Sequence, residues 1–123
     1  MGGGEFSFHY RPEASEPTSP LFVNGEVRDT LPVSDRGLAY GDGLFETITV
    51  RGGEPEFWSR HMARLREGCA RLRLGEPDLV ELNRETELLI NGQRTTQNVD
   101  QGIVKIIITR GSGGRGYRAP QEP

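Results

Sequence analysis

From residue 21 onward the chain switches between two periods of apolar placement, with Gly, Asn and Pro marking the changes. Leu21-Phe22-Val23 and Glu26-Val27-Arg28 flank Asn24-Gly25, a dipeptide suited to a two-residue turn, and together they predict a β-hairpin. Leu44 to Arg51 is rich in aromatic and β-branched residues and predicts a strand, followed by a Gly52-Gly53 turn and a short return strand over Glu54 to Phe57. Trp58, Met62, Leu65, Cys69 and Leu72 recur at intervals of four and three, which puts them on one stripe of a helix. Gly75 is expected to end that helix and Pro77 to start the next. Leu79, Leu82, Thr86 and Leu89 repeat the spacing, so a second amphipathic helix is predicted to stop near Gly92, with a polar loop over Gln93 to Gly102. Ile103 to Thr109 is an almost unbroken β-branched run, which predicts a strand buried on both faces at the centre of the sheet.

These elements define an α+β fold, a small and mainly antiparallel sheet covered by two helices. With 33% hydrophobic residues, 17 Gly and 8 Pro in 123 residues, core-forming material has to be concentrated in those few segments. Residues 1–20, with a Gly run and Pro12, Pro17 and Pro20 among Ser and Glu, have the composition of a disordered extension. The foldable domain is expected over residues 21–117, with 118–123 as the start of a linker.

Charge narrows the partners. A net charge of -3 supplies no basic field for nucleic acid or an anionic membrane. Locally, Arg60, Arg64, Arg66, Arg71 and Arg73 face the single acid Glu67, an excess that suits a compact anion as well as a solvated helix face. Cys69 is the only cysteine, so no intrachain disulfide forms. No apolar run reaches membrane-spanning length and no basic-then-apolar leader is present, so the expected location is the cytoplasm.

Candidate chemistry gathers where the loop from Ser34 runs into the strand ending at Val50. Ser34, Asp35, Arg36, Asp42 and Glu46 are polar groups near a strand end, a common setting both for function and for a capped turn. On the first helix His61 and Arg64 are three apart and therefore neighbours. An Arg there suits a phosphate, because its planar fork makes paired, charge-assisted hydrogen bonds of about 1.5–3 kcal/mol each. Beyond the last strand, Arg110-Gly111-Ser112-Gly113-Gly114-Arg115-Gly116-Tyr117 has the composition of a flexible linker or of an arginine-glycine segment. Its position after a strand also suits a preformed loop that meets an anion.

The string Ser-Asp-Arg-Gly-Leu-Ala-Tyr-Gly-Asp-Gly-Leu-Phe-Glu-Thr resembles the N-terminal signature of the fold-type IV pyridoxal-phosphate enzymes, the class IV aminotransferases and their lyase relatives. The Asn24-Gly25 turn and the His-x-x-Arg-Leu segment, fourteen residues after Phe-Glu-Thr, match the same family. The resemblance implies that Arg64 binds the phosphate of pyridoxal 5'-phosphate with His61 packed beside it. It implies that Arg115 meets a substrate carboxylate, with Tyr40, Phe45 and Glu46 along the pocket wall. Within the family, Thr-Arg-Gly-Ser-Gly-Gly-Arg-Gly-Tyr is more similar to the loop of the aminodeoxychorismate lyases than to that of the branched-chain or D-amino-acid aminotransferases. The family's Schiff-base lysine and a second phosphate-binding segment come from a C-terminal domain, and its members are homodimers acting on small molecules. The one lysine here is Lys105, at a position that is not the Schiff-base residue in the family. The expectation is therefore an N-terminal part, inactive alone, with an apolar patch exposed where the second domain docks.

Overall fold

The computed structural model describes residues 21–28 and 30–112. The hairpin is present as β1 (Phe22–Val23) and β2 (Glu26–Val27), paired antiparallel as Phe22↔Val27 and Val23↔Glu26. Asn24 and Gly25 both take positive φ, 52° and 81°, as the tight turn matching strand twist requires. Strand β3 (Gly43–Arg51) turns at Gly52-Gly53 into the two-residue β4 (Glu54–Pro55). It pairs along its other edge with β5 (Gly102–Thr109), in a register running from Gly43↔Thr109 to Val50↔Gly102. All pairings are antiparallel and the order is β4-β3-β5.

Period-2 alternation then sorts β3 between two environments. Ile48 and Val50 are buried on one face. Helix α2 (Trp58–Leu72) lays its predicted stripe on that face, with Met62, Leu65 and Cys69 buried. Helix α3 (Leu79–Gln97) adds Leu79 and Leu82 to a core built on Ile48, Met62, Leu65 and Ile106, so both helices cover one side of the sheet as expected.

The structure corrects several boundaries. The stretch after Asp35 is not all loop: Arg36–Tyr40 form a short helix, α1, capped by the Asp35 carboxylate accepting from the N–H groups of Gly37 and Leu38, and closed by Gly41. Five residues are too few to show a period. The return strand stops at Pro55, and Phe57, at φ 56°, leads directly into α2. That helix ends on Arg73 at φ 56°, two residues before Gly75. Asp78 rather than Pro77 caps the next one, its carboxylate accepting from the Glu81 N–H. Helix α3 passes through Gly92 and continues to Gln97. A mid-helix Gly costs only about 1 kcal/mol, and the hydroxyls of Thr95 and Thr96 bond back to carbonyls of Asn91 and Gly92. Asn98, in the left-handed conformation, is the stop.

The largest correction concerns β5. It is an edge strand among the described residues, and β3 is central. Its second face is open as well: Ile103 and Ile107 are 70% and 62% exposed. The expected extension over residues 1–20 and the stretch from residue 113 lie outside the described residues.

Candidate active site

Glu46 points from β3 toward α2, on the side where its neighbours are buried. Only 7% of it is exposed, so its charge requires partners. Residues three apart on α2 supply them. Arg64 donates through Nε at 3.2 and 3.1 Å and through Nη2 at 2.8 Å to the Glu46 carboxylate. His61 Nδ1 lies 2.6 Å from Glu46 Oε1. A carboxylate only accepts, so Nδ1 carries the proton in that contact, and the 3.4 Å approach of Arg64 Nη2 to the same nitrogen is packing rather than a hydrogen bond. The Arg64 guanidinium, foremost, and His61 hold the Glu46 carboxyl below its usual range, while burial opposes them. Glu46 in turn raises Arg64.

The result is an oriented arginine. Its Nε and Nη2 edge is fixed on a buried carboxylate, the side chain remains 69% exposed, and Nη1 makes no hydrogen bond among the described residues. Such a group suits a phosphate, since donors are aimed outward at no further ordering cost. It is one guanidinium already paired with Glu46, so it can meet only part of a phosphate's charge. Among the described residues no group of three His, Cys, Asp or Glu is placed to hold a metal ion.

Phe45, next in sequence, points to the other side of the sheet and is 59% exposed. Lys105 on β5 lies with Nζ 4.6 Å from its ring centroid, within cation–π range. Phe45 and Glu46 therefore face opposite sides of β3. Tyr40 closes α1, with the Arg36 guanidinium 4.9 Å from its ring centroid. Of the residues singled out from sequence, the fold brings Glu46, His61 and Arg64 together, and Arg115 lies outside the described residues.

A second cluster was not assembled from the sequence. The Asp42 carboxylate accepts from Arg36 Nε at 2.8 Å and from Arg110 Nε at 3.0 and 3.2 Å. Arg36 first and Arg110 after it lower the Asp42 carboxyl against the opposing effect of burial. Asp35 accepts from the Thr109 hydroxyl at 2.9 Å, and the Arg36 N–H donates to the Gly111 carbonyl at 2.8 Å. Asp42 and Arg36 were visible as polar residues near a strand end, whereas a partner 68 positions away left no local signal.

A sheet covered on one face by two helices, with an arginine oriented beside its central strand, matches a known family. The model of the amino-transferase class IV family covers residues 43–123, and the chain belongs to that family. The aminodeoxychorismate lyase of Vibrio harveyi is 38% identical over 97 residues, 79% of this chain and 34% of that protein. The structure of 4-amino-4-deoxychorismate lyase from Pseudomonas aeruginosa superposes with a TM-score of 0.67 at 45% identity, over 80% of this chain and 34% of that one. A hypothetical aminotransferase from Mycobacterium tuberculosis in its PLP-bound form gives a TM-score of 0.64 at 29% identity, over 79% and 34%. The chain thus spans about a third of the length of these relatives.

Proposed function

We propose that this chain is the N-terminal part of a pyridoxal-phosphate-dependent aminodeoxychorismate lyase, which converts 4-amino-4-deoxychorismate to p-aminobenzoate and pyruvate in folate biosynthesis. The observation that carries the reading is the exposed Arg64 fork held by buried Glu46. When bound, the cofactor would supply an electron sink for the cleavage. This chain's part is to hold one side of the cofactor phosphate through Arg64, to orient that arginine through Glu46 and His61, and to present Arg115, Tyr40 and Phe45 to the substrate. The lyase is favoured over a branched-chain or D-amino-acid aminotransferase by the two lyase relatives and by the Arg110–Tyr117 sequence. Aminotransferases among the structural neighbours keep that second reading alive, and product decides between them: p-aminobenzoate or a keto acid.

The parent enzyme is read as a cytoplasmic homodimer. The open apolar face formed by Phe45, Ile103 and Ile107 supports further docking there, and no helix among the described residues is long and apolar enough to cross a membrane. The 123 residues alone are expected not to turn over, because Lys105 is the only lysine; turnover with added cofactor that Lys105→Ala abolishes refutes this. A purely dimerising or phosphate-binding role for the isolated chain is the remaining reading.

The phosphate assignment is tested by calorimetric titration with pyridoxine 5'-phosphate, which lacks the aldehyde and cannot react with Lys105. Arg64→Gln is expected to weaken binding about tenfold or more. Arg66→Gln, which removes only an exposed pair with Glu76, is expected to leave it unchanged. Equal binding by the wild type and Arg64→Gln refutes the assignment.

A further inference from the structure

The dipeptide Asn-Gly occurs twice, as Asn24-Gly25 and Asn91-Gly92, and the fold gives the two copies different backbones. Both asparagine side chains are exposed. Asn24 and Gly25 make the turn between β1 and β2, at φ 52° and 81°. Those strands have two residues each and form a sheet of their own, separate from β4-β3-β5. A ribbon of that size opens at little cost. Asn91 lies well inside α3, where each N–H is held on the carbonyl four residues earlier. The following turn adds to this, since the hydroxyls of Thr95 and Thr96 donate to the Asn91 carbonyl at 2.9 Å and the Gly92 carbonyl at 2.6 Å.

The chemistry of the dipeptide is intrinsic. The glycine nitrogen attacks the asparagine side-chain carbonyl carbon, the carbon–nitrogen bond of the side-chain amide breaks, and ammonia leaves with the glycine N–H proton. The product is a five-membered cyclic imide. Water then opens the ring at either carbonyl and leaves aspartate or isoaspartate, so the balance is one amide and one water to one carboxylic acid and one ammonia, with no change of oxidation state. Glycine favours the attack because it has no Cβ to obstruct the approach and leaves the backbone free to turn. Neither a tight turn nor a helix is already in ring geometry, so each site has to open first. Its rate then follows the cost of local opening.

We propose that Asn24 is a site of spontaneous modification in the native chain, passing through the cyclic imide to aspartate and isoaspartate with water as co-reactant, while α3 protects Asn91. The turn rests on acidic groups of α3: a Cβ on Gly25 would lie 3.5 Å from Glu85 Oε1 and 3.8 Å from Glu81 Oε1. Modification adds a negative charge beside them. In the isoaspartate product the main chain also runs through the former side chain, which lengthens a turn that sets the Phe22↔Val27 register.

The test incubates the 123-residue chain in mildly alkaline buffer, native and in urea, and follows both sites by tryptic mass mapping. The peptide ending at Arg28 carries Asn24 and the peptide from Glu85 to Arg94 carries Asn91. In the native chain Asn24 is expected to convert at least about tenfold faster than Asn91, and in urea the two are expected to react at comparable rates. Asn24→Gln is expected to abolish the main acidic species that anion exchange separates from the aged native protein. Equal rates at the two sites in the native chain overturn the proposal. So does a native Asn24 that stays intact while the urea sample converts. A gap of the same size in urea assigns the difference to flanking sequence rather than to the fold, and overturns it as well.

Discussion

Two glycines stand at opposite ends of the β3–β5 ladder, and their contrast tests the packing of the sheet that carries the site. Gly43 pairs with Thr109 and Gly102 with Val50, and neither takes positive φ. A Cβ on Gly43 would lie 2.4 Å from the Ile108 carbonyl oxygen and 3.0 Å from the Thr109 Cα, both backbone atoms, whereas a Cβ on Gly102 meets nothing within 4 Å. Ordinary contact begins near 3.4 Å, so Gly43→Ala requires the strand ends to part by about 1 Å. Overpacking of this kind costs about 1–3 kcal/mol, and a ladder bond lost at the end adds about 1 kcal/mol. The expected total is about 2–4 kcal/mol, a large share of a stability of about 5–15 kcal/mol. Gly102→Ala, with room and compatible backbone, is expected to be neutral or to gain about 0.4–1 kcal/mol through the unfolded chain. Urea unfolding followed by the fluorescence of Trp58, the only tryptophan, measures both. Two variants within about 1 kcal/mol of each other would refute the argument.

Two further predictions concern titratable groups. Asp42 and Glu46 have carboxyls lowered in the fold, so between their folded and unfolded values only the unfolded chain is protonated and stability rises with pH. Their contribution is complete above the ordinary carboxylate range and is lost as pH falls through the lowered values; Glu46→Gln should make the acid limb of stability shallower, and an unchanged slope contradicts the pairing. Cys69 is 1% exposed, and burial, with Glu76 after it, raises its thiol. A thiol reagent should therefore label it at least about a hundredfold more slowly in the native chain than in urea, and equal rates would show that α2 does not cover it.

Elements whose signal is local were legible in the sequence. The Asn24-Gly25 hairpin, the Met62-Leu65-Cys69 stripe and the β3 strand follow from two to five residues read against one period. Misplaced boundaries share a cause, namely that Gly and Pro were read as stops where other residues hold the cap. Arg73 and Asn98 take left-handed backbone, and Asp78 rather than Pro77 caps α3, its carboxylate accepting from the Glu81 N–H. The β5 misreading has another origin. An unbroken β-branched run records how apolar the surroundings of a strand are in its working state, and Ile103 and Ile107 are exposed within the described residues. Their composition fits a surface that is covered in the proposed parent enzyme.

The two sides of β3 explain why the site residues divide as they do. Adjacent strand residues point oppositely, so Phe45 and Glu46 serve different surfaces whatever the ligand. Glu46 turns to α2, where a charge is tolerated because Arg64 and His61 meet it, and in the proposed scheme it acts on a ligand through the arginine it orients. Phe45 turns to the open side beside Lys105, where contact with a ligand would be direct. On the proposed assignment, replacing Glu46 should therefore act on binding of an anion at Arg64, and replacing Phe45 on binding of the organic part of the ligand. The boundary between these effects is the thickness of one strand.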